Sequence, residues 1–237
     1  MWLLHSSIGR KLVMSISGTA LVLFLLFHLC MNVTAVFSSE AYNTICGLLG
    51  ANWYAVAATV GLGALIAIHF LYAIMLTLQN RRARGSDRYA VNKRPAGVSW
   101  ASQNMFVLGL IVVGGLLLHF SQFWYKMMFA ELTGHHEVAP LLGDGVLLSP
   151  QDGAAFIGYY FSRLWVVAAY LVWYAALWFH LTHGVWSAFQ TLGWSNGLWV
   201  KRWKWFADGV VTLIFLGFAF VTLFFYAKSL CCGAACQ

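Results

Sequence analysis

Five stretches of this chain, at roughly 12–37, 54–79, 104–128, 158–189 and 206–228, stay apolar for long enough to cross a lipid bilayer. A hydrocarbon core about 30 Å thick takes ~20 apolar residues in helical form. The stretches, spans I to V, occupy most of the 237 residues and leave no room for a separate soluble domain. Hydrophobic residues make up 61% of the chain and charged residues 9%, too few to clothe a water-soluble domain of this length. The expected fold is an all-α membrane protein of five transmembrane helices, one domain over 1–237. No cleavable signal peptide is evident. Span I follows Arg10 and Lys11 but is long enough to cross, and it carries a histidine. No repeat or low-complexity tract is present, and the nearest thing to a linker is the polar stretch Asn80 to Gln103, with Gly85, Pro95 and Gly97.

The net charge of +7 is placed rather than spread. Arg10, Lys11, Arg81, Arg82, Arg84, Arg88, Lys93, Arg94, Lys201, Arg202 and Lys204 flank alternate span ends, against Lys126, Arg163 and Lys228 at the others. Basic residues stay on the cytoplasmic side of membrane proteins. The N-terminus, the 80–103 loop and the 190–205 loop are therefore expected inside. The 38–53 and 129–157 loops and the C-terminus are expected outside. An N-in/C-out topology uses up the basic excess, so the partner it implies is the lipid bilayer and not nucleic acid.

Ionisable residues inside membrane spans are costly and tend to be functional. Here they are nearly all histidine: His28 in span I, His69 in II, His119 in III, His180 and His183 in IV. No Asp or Glu lies in the middle of any span, which argues against a carboxylate-based proton or sodium transporter. At 1.5 Å per residue, His28 and His119 each lie ~24 Å from the cytoplasmic end of their spans, and His69 and His180 lie ~16 and ~14 Å from theirs. Two levels result, each with two histidines from different helices. Haem iron takes two axial ligands, and neutral imidazole is a good one. The spacing predicts an outer haem held by His28 and His119 and an inner haem held by His69 and His180, with helices I to IV enclosing the stacked pair. A single histidine in a span often only bonds a neighbouring helix; four on consecutive helices, matched in depth by twos, do not arise that way.

His183 competes with His180, three residues away on one helical face, and lies nearer the cytoplasmic end, where a haem propionate or water would be its partner. His5, His135 and His136 fall outside the spans, where they are expected to be solvated. Gly18, Gly61, Gly63, Gly114, Gly115 and Gly184 would let a macrocycle or another helix approach closely. Trp53, Trp100, Trp124, Trp194 and Trp199 sit at span ends, as interfacial belts do. Cys30, Cys46, Cys231, Cys232 and Cys236 show no CxxCH pattern, so any haem is a non-covalent b-type, and the tail cysteines are read as ordinary thiols.

Several segments carry a resemblance: Phe27-His28-Leu29-Cys30-Met31-Asn32, Glu40-Ala41-Tyr42-Asn43, Ile68-His69-Phe70-Leu71-Tyr72, and Phe179-His180-Leu181-Thr182-His183-Gly184-Val185-Trp186-Ser187. In order and spacing they resemble the two-haem cytochrome b anchor of succinate:quinone oxidoreductases, over essentially the whole chain. The resemblance implies that His28, His69 and His119 are haem ligands. It favours His180 over His183 as the fourth, by a pattern like F-H-x-x-x-G-x-W-S. It also implies flavoprotein and iron–sulfur subunits on the cytoplasmic face of a bacterial inner membrane. Electrons would pass between succinate or fumarate and membrane quinone, commonly menaquinone, in the tricarboxylic acid cycle or anaerobic respiration. The chain itself would not touch succinate, and the basic 80–103 and 190–205 loops would face the iron–sulfur partner or anionic lipid.

One departure stands out. Some relatives carry a proton-conducting glutamate two residues before the fourth ligand, where this chain has Trp178. For quinone, Asn32, Glu40, Gln122, Lys126, Tyr160 and Arg163 form a candidate neighbourhood near the outer haem. The rival readings are a cytochrome b subunit of another quinone-linked enzyme, of hydrogenase or formate dehydrogenase type, and a haem-free transporter that uses histidine as polar glue.

Overall fold

Four of the five apolar stretches form helices longer than the stretches themselves, because residues at the rims complete the end turns. A computed structural model describes residues 6–84, 99–141, 145–194, 197 and 199–235. His5, Gly85, Arg88, Lys93, Arg94, Pro95, Gly97 and Cys236 lie outside the described residues, as do the side chains of Arg84 and Cys232. The described residues fold as α1 Ser7–Phe37, α2 Ser39–Leu48, α3 Trp53–Arg84, α4 Trp100–Gln103, α5 Met105–His119, α6 Ala130–Leu132, α7 Gly153–Phe161, α8 Leu164–Thr191 and α9 Val200–Ala235. A π-helix, Phe120–Phe129, joins α5 to α6. Five helices are long and apolar enough to span a membrane: α1, α3, α5 with its π-helical continuation, α8 and α9.

Local chemistry sets the ends. Ser6 caps α1 by accepting from the Gly9 N–H at 2.9 Å, and Ser38 both ends α1 and caps α2 through the Ala41 N–H. Such caps satisfy donors that a helix start leaves orphaned.

Two expected boundaries are corrected. The fourth span does not run unbroken from 158: α7 closes at Phe161 and α8 begins at Leu164. Between them Arg163 is extended (φ −105°, ψ 116°), its guanidinium lying over the Tyr159 ring and donating to the Tyr159 carbonyl. Hydropathy averaged over a span reads through this break, because Ser162 and Arg163 interrupt the apolar run for only two residues. The third span continues beyond 128 to Leu132, and from Phe120 to Phe129 it is wound as a π-helix. Such segments are rare and usually a single turn long.

Packing is uneven. α8 is central, lying against α1, α5 and α9, while α3 packs along α1 and meets the rest of the bundle only at isolated points. The tightest core sits where α7, α8 and α9 meet, around Phe156, Tyr160, Val166, Val211 and Ile214. Trp178 donates to Thr212 and Tyr174 pairs with Thr222, so polar atoms between α8 and α9 satisfy each other as a membrane interior demands. Leu23, Val60, Val172 and Leu213 point outward, the surface expected where lipid replaces water.

Candidate functional site: two histidine pairs

Contacts along neighbouring helices run in reverse order, so the helices alternate in direction. Met105, Gly109 and Val112 of α5 meet Gly184, His180 and Trp173 of α8 in turn, and Trp178 and Tyr174 of α8 meet Thr212 and Thr222 of α9; Gly18 of α1 faces His69, midway along α3. On both α1 and α5 a histidine follows that glycine by ten residues: His28 after Gly18, His119 after Gly109. Ten residues of helix rise ~15 Å. Two levels therefore lie about half a hydrocarbon core apart, one toward each face.

At the outer level the rings of His28 and His119 have centroids 5.8 Å apart and nearly perpendicular planes (87°). Aromatic rings hold them there. Phe24 stacks on His28 at 5.4 Å, and Phe218 lies beside it. His119 is flanked by Phe123, Trp173 and Tyr170. At the inner level His69 and His180 have centroids 6.4 Å apart, and small residues replace the aromatic cage. An added Cβ at Gly18 would lie 3.1 Å from His69 Cε1, and one at Gly109 would lie 3.7 Å from His180 Cε1. The Ser17 hydroxyl lies 3.1 Å from His69 Nδ1. It is His180 that meets His69, not His183, which sits three residues on and half-buried.

Both pairs join helices on a diagonal. α1 and α5, like α3 and α8, share no extended packed flank and reach each other through imidazoles. The residues fit a haem on three counts. Metal–imidazole bonds run about 2 Å, so two imidazoles flanking one metal atom hold their ring centres about 6 Å apart. Both pairs match that spacing. The histidines meet in twos: among the described residues no three or more His, Cys, Asp or Glu side chains come together as a ligand set for a bare ion. Buried polar atoms beside the pairs are also orphaned, namely His180 Nδ1 at the inner level and Gln122 Nε2 three residues beyond His119. A buried orphan of this kind points to a missing partner.

Comparison of the chain with protein families, with curated proteins and with solved structures finds no match. The pairs stand on their own geometry.

The residues expected to surround a quinone each have contacts or surroundings of their own. Asn32 is engaged locally, donating to the His28 carbonyl at 2.8 Å and accepting from Tyr42. Glu40 is exposed, Lys126 lies over Tyr125, and Tyr160 accepts from the Leu141 N–H. Arg163 is bound at the break before α8. Gln122 differs, being fully buried with Oε1 accepting from the Tyr170 hydroxyl at 2.8 Å and Nε2 left over. His135 is exposed against Thr133, and His136 is exposed. Among the glycines singled out in the spans, Gly61, Gly63 and Gly114 face open space, Gly115 faces Trp173, and Gly184 lies near Met105. Ser17, Tyr170 and Trp173 were not picked out from sequence. The recurring ten-residue step from glycine to histidine was the readable signal for the level that Ser17 shares.

Proposed function

We propose that this chain is the two-haem cytochrome b anchor of a succinate:quinone oxidoreductase, lying N-in/C-out in a bacterial cytoplasmic membrane. In this role it passes electrons between an iron–sulfur subunit and membrane quinone. The observation that carries the proposal is the meeting of imidazoles from diagonal helices in two pairs, at metal-sharing distance, ~15 Å apart in depth. His28 and His119 would hold the outer haem, His69 and His180 the inner one. When bound, each haem supplies a one-electron carrier whose potential the protein tunes.

The chain's own residues do the rest. Phe24, Phe123 and Trp173 clamp the outer rings and exclude water from them. Gly18 and Gly109 let α1 and α5 pass close beside the inner rings. Trp178 is bonded to Thr212 of α9, so that position offers no carboxylate for a proton path. The succinate assignment rests on the segment resemblance. Menaquinone and the flavoprotein partner come with it.

A dithionite-reduced minus oxidised spectrum of the purified complex is expected to show b-type α-bands, with two haems per chain. His28→Ala and His119→Ala should each remove or disturb the same haem, and His69→Ala and His180→Ala the other. Absence of any b-type band would end the haem assignment. If His183→Ala removed a haem while His180→Ala did not, the fourth ligand would change. A hydrogenase- or formate dehydrogenase-type anchor would share the bands. Co-purification of a covalently flavinylated subunit separates that reading from this one.

A further inference from the structure

We propose that Ser17 is a positioning residue that fixes the tautomer of His69, holding the proton on Nδ1 and leaving Nε2 bare toward His180. The Ser17 hydroxyl has one hydrogen and two neighbours able to use it, the Met14 carbonyl at 3.1 Å and His69 Nδ1 at 3.1 Å. A carbonyl oxygen can only accept, whereas an imidazole nitrogen donates or accepts according to its tautomer. With Ser17 donating to Met14, the usual back-bond of a helical serine, its oxygen lone pairs face His69. Nδ1 must then carry the hydrogen. The chain of donors runs from His69 Nδ1 to Ser17 Oγ to Met14 O.

The surroundings leave little freedom to break this chain. Ser17 is 2% exposed, so water does not compete for the hydroxyl. Gly18, the next residue, lies so close that an added Cβ would be 3.1 Å from His69 Cε1, and the ring is wedged against the same turn that bonds it. His180 has no such partner among the described residues, where its Nδ1 is buried and unbonded. The two imidazoles of the inner pair are therefore unequal, one anchored through its far nitrogen and one not. An acceptor on that far nitrogen raises the basicity of a ligating imidazole and fixes its orientation.

The inference rests on His69 being a haem ligand, and its test keeps the two claims apart. Redox titration of the full complex should show that Ser17→Ala shifts one haem midpoint upward, the same haem that His69→Ala removes. The other midpoint should stay in place. Ser17→Thr, whose hydroxyl can make the same back-bond, should restore the original value. Loss of that haem in Ser17→Ala counts for the proposal if Ser17→Thr restores it and against it otherwise. Both haems bound with unmoved midpoints in Ser17→Ala would overturn the positioning role, as would a shift confined to the His28/His119 haem. If the wild-type complex carries no haem, the ligand reading fails. The tautomer is then judged from the ¹⁵N shifts of labelled histidine in the full-length chain. An Nδ1–H signal in wild type that is lost or exchanging in Ser17→Ala supports it, and an Nε2–H signal in wild type overturns it.

Discussion

Trp173 links the outer pair to the helix beside it. Its indole N–H donates to the Val112 carbonyl at 3.0 Å, its ring lies 5.9 Å from that of His119, and its edge rests on the bare backbone of Gly115. A methyl group at Gly115 would collide with the indole Cδ1 and Cγ. Neither the ring nor the helix can yield without breaking the Val112 bond. Gly115→Ala is expected to cost about 1–3 kcal/mol by overpacking and to disturb the outer pair while sparing the inner one. Thermal unfolding of the purified variant, followed with the haem spectrum, measures both effects; an unchanged midpoint with unaltered spectra would mean that the contact is dispensable. At this scale the sequence was informative about which histidines come together and silent about what surrounds them. Depth along a helix is a matter of counting residues, so the partners could be matched. The proton position on His69 depends on Ser17, and a serine in a span looks like any small packing residue until the neighbouring helix is in place.

Among the elements, α2 and α7 clasp the end of the bundle nearer the His28–His119 pair. Asn43 of α2 donates to Asp152 Oδ1 at 2.8 Å and accepts from the Ala154 N–H at 2.9 Å, while Asp152 caps α7 through the Ala155 N–H. Beneath the clasp lies Cys46. Burial, with a further contribution from the Asp152 charge, pushes its thiol from 9.0 up to about 11, against the opposite pull of hydrogen bonds with Tyr42 and Gly153. The folded form thus favours the neutral thiol. The stability this confers is complete below pH 9, declines as the unfolded thiol ionises, and is gone above about 11. Cys46 is expected to resist maleimide at pH 8 and to react several-fold faster in Asn43→Ala, as read by mass spectrometry of timed samples. Equal rates in both proteins would show that the clasp does not guard the thiol. Helix number and approximate limits were legible because hydropathy reports them directly. The break at Ser162–Arg163 and the π-helix after His119 were not, since both are changes of backbone hydrogen bonding inside stretches that stay apolar on average.

For the whole molecule, alternating helix direction gathers Arg10, Lys11, Arg81, Arg82, Lys201, Arg202 and Lys204 at one end of the bundle. Lys204 is partly neutralised by Asp208 at 2.9 Å, and Arg202 lies over Trp199. By the proposed topology that basic end faces the cytoplasm. Alkaline phosphatase fused after Gln237 should be active, and fused within the 80–103 loop it should be inactive. The reverse pattern would invert the topology and move the expected soluble partners to the other face. The loop most concerned could be judged only from its charges, because 85–98 lie outside the described residues.

The lopsided packing has a bearing on how this molecule comes apart. In lipid a helix keeps its backbone hydrogen bonds even when its neighbours leave, so weakening the bundle does not unwind α3. It frees α3 to drift away sideways as an intact rod, parting first where His69 meets His180 while its flank along α1 is the last to let go.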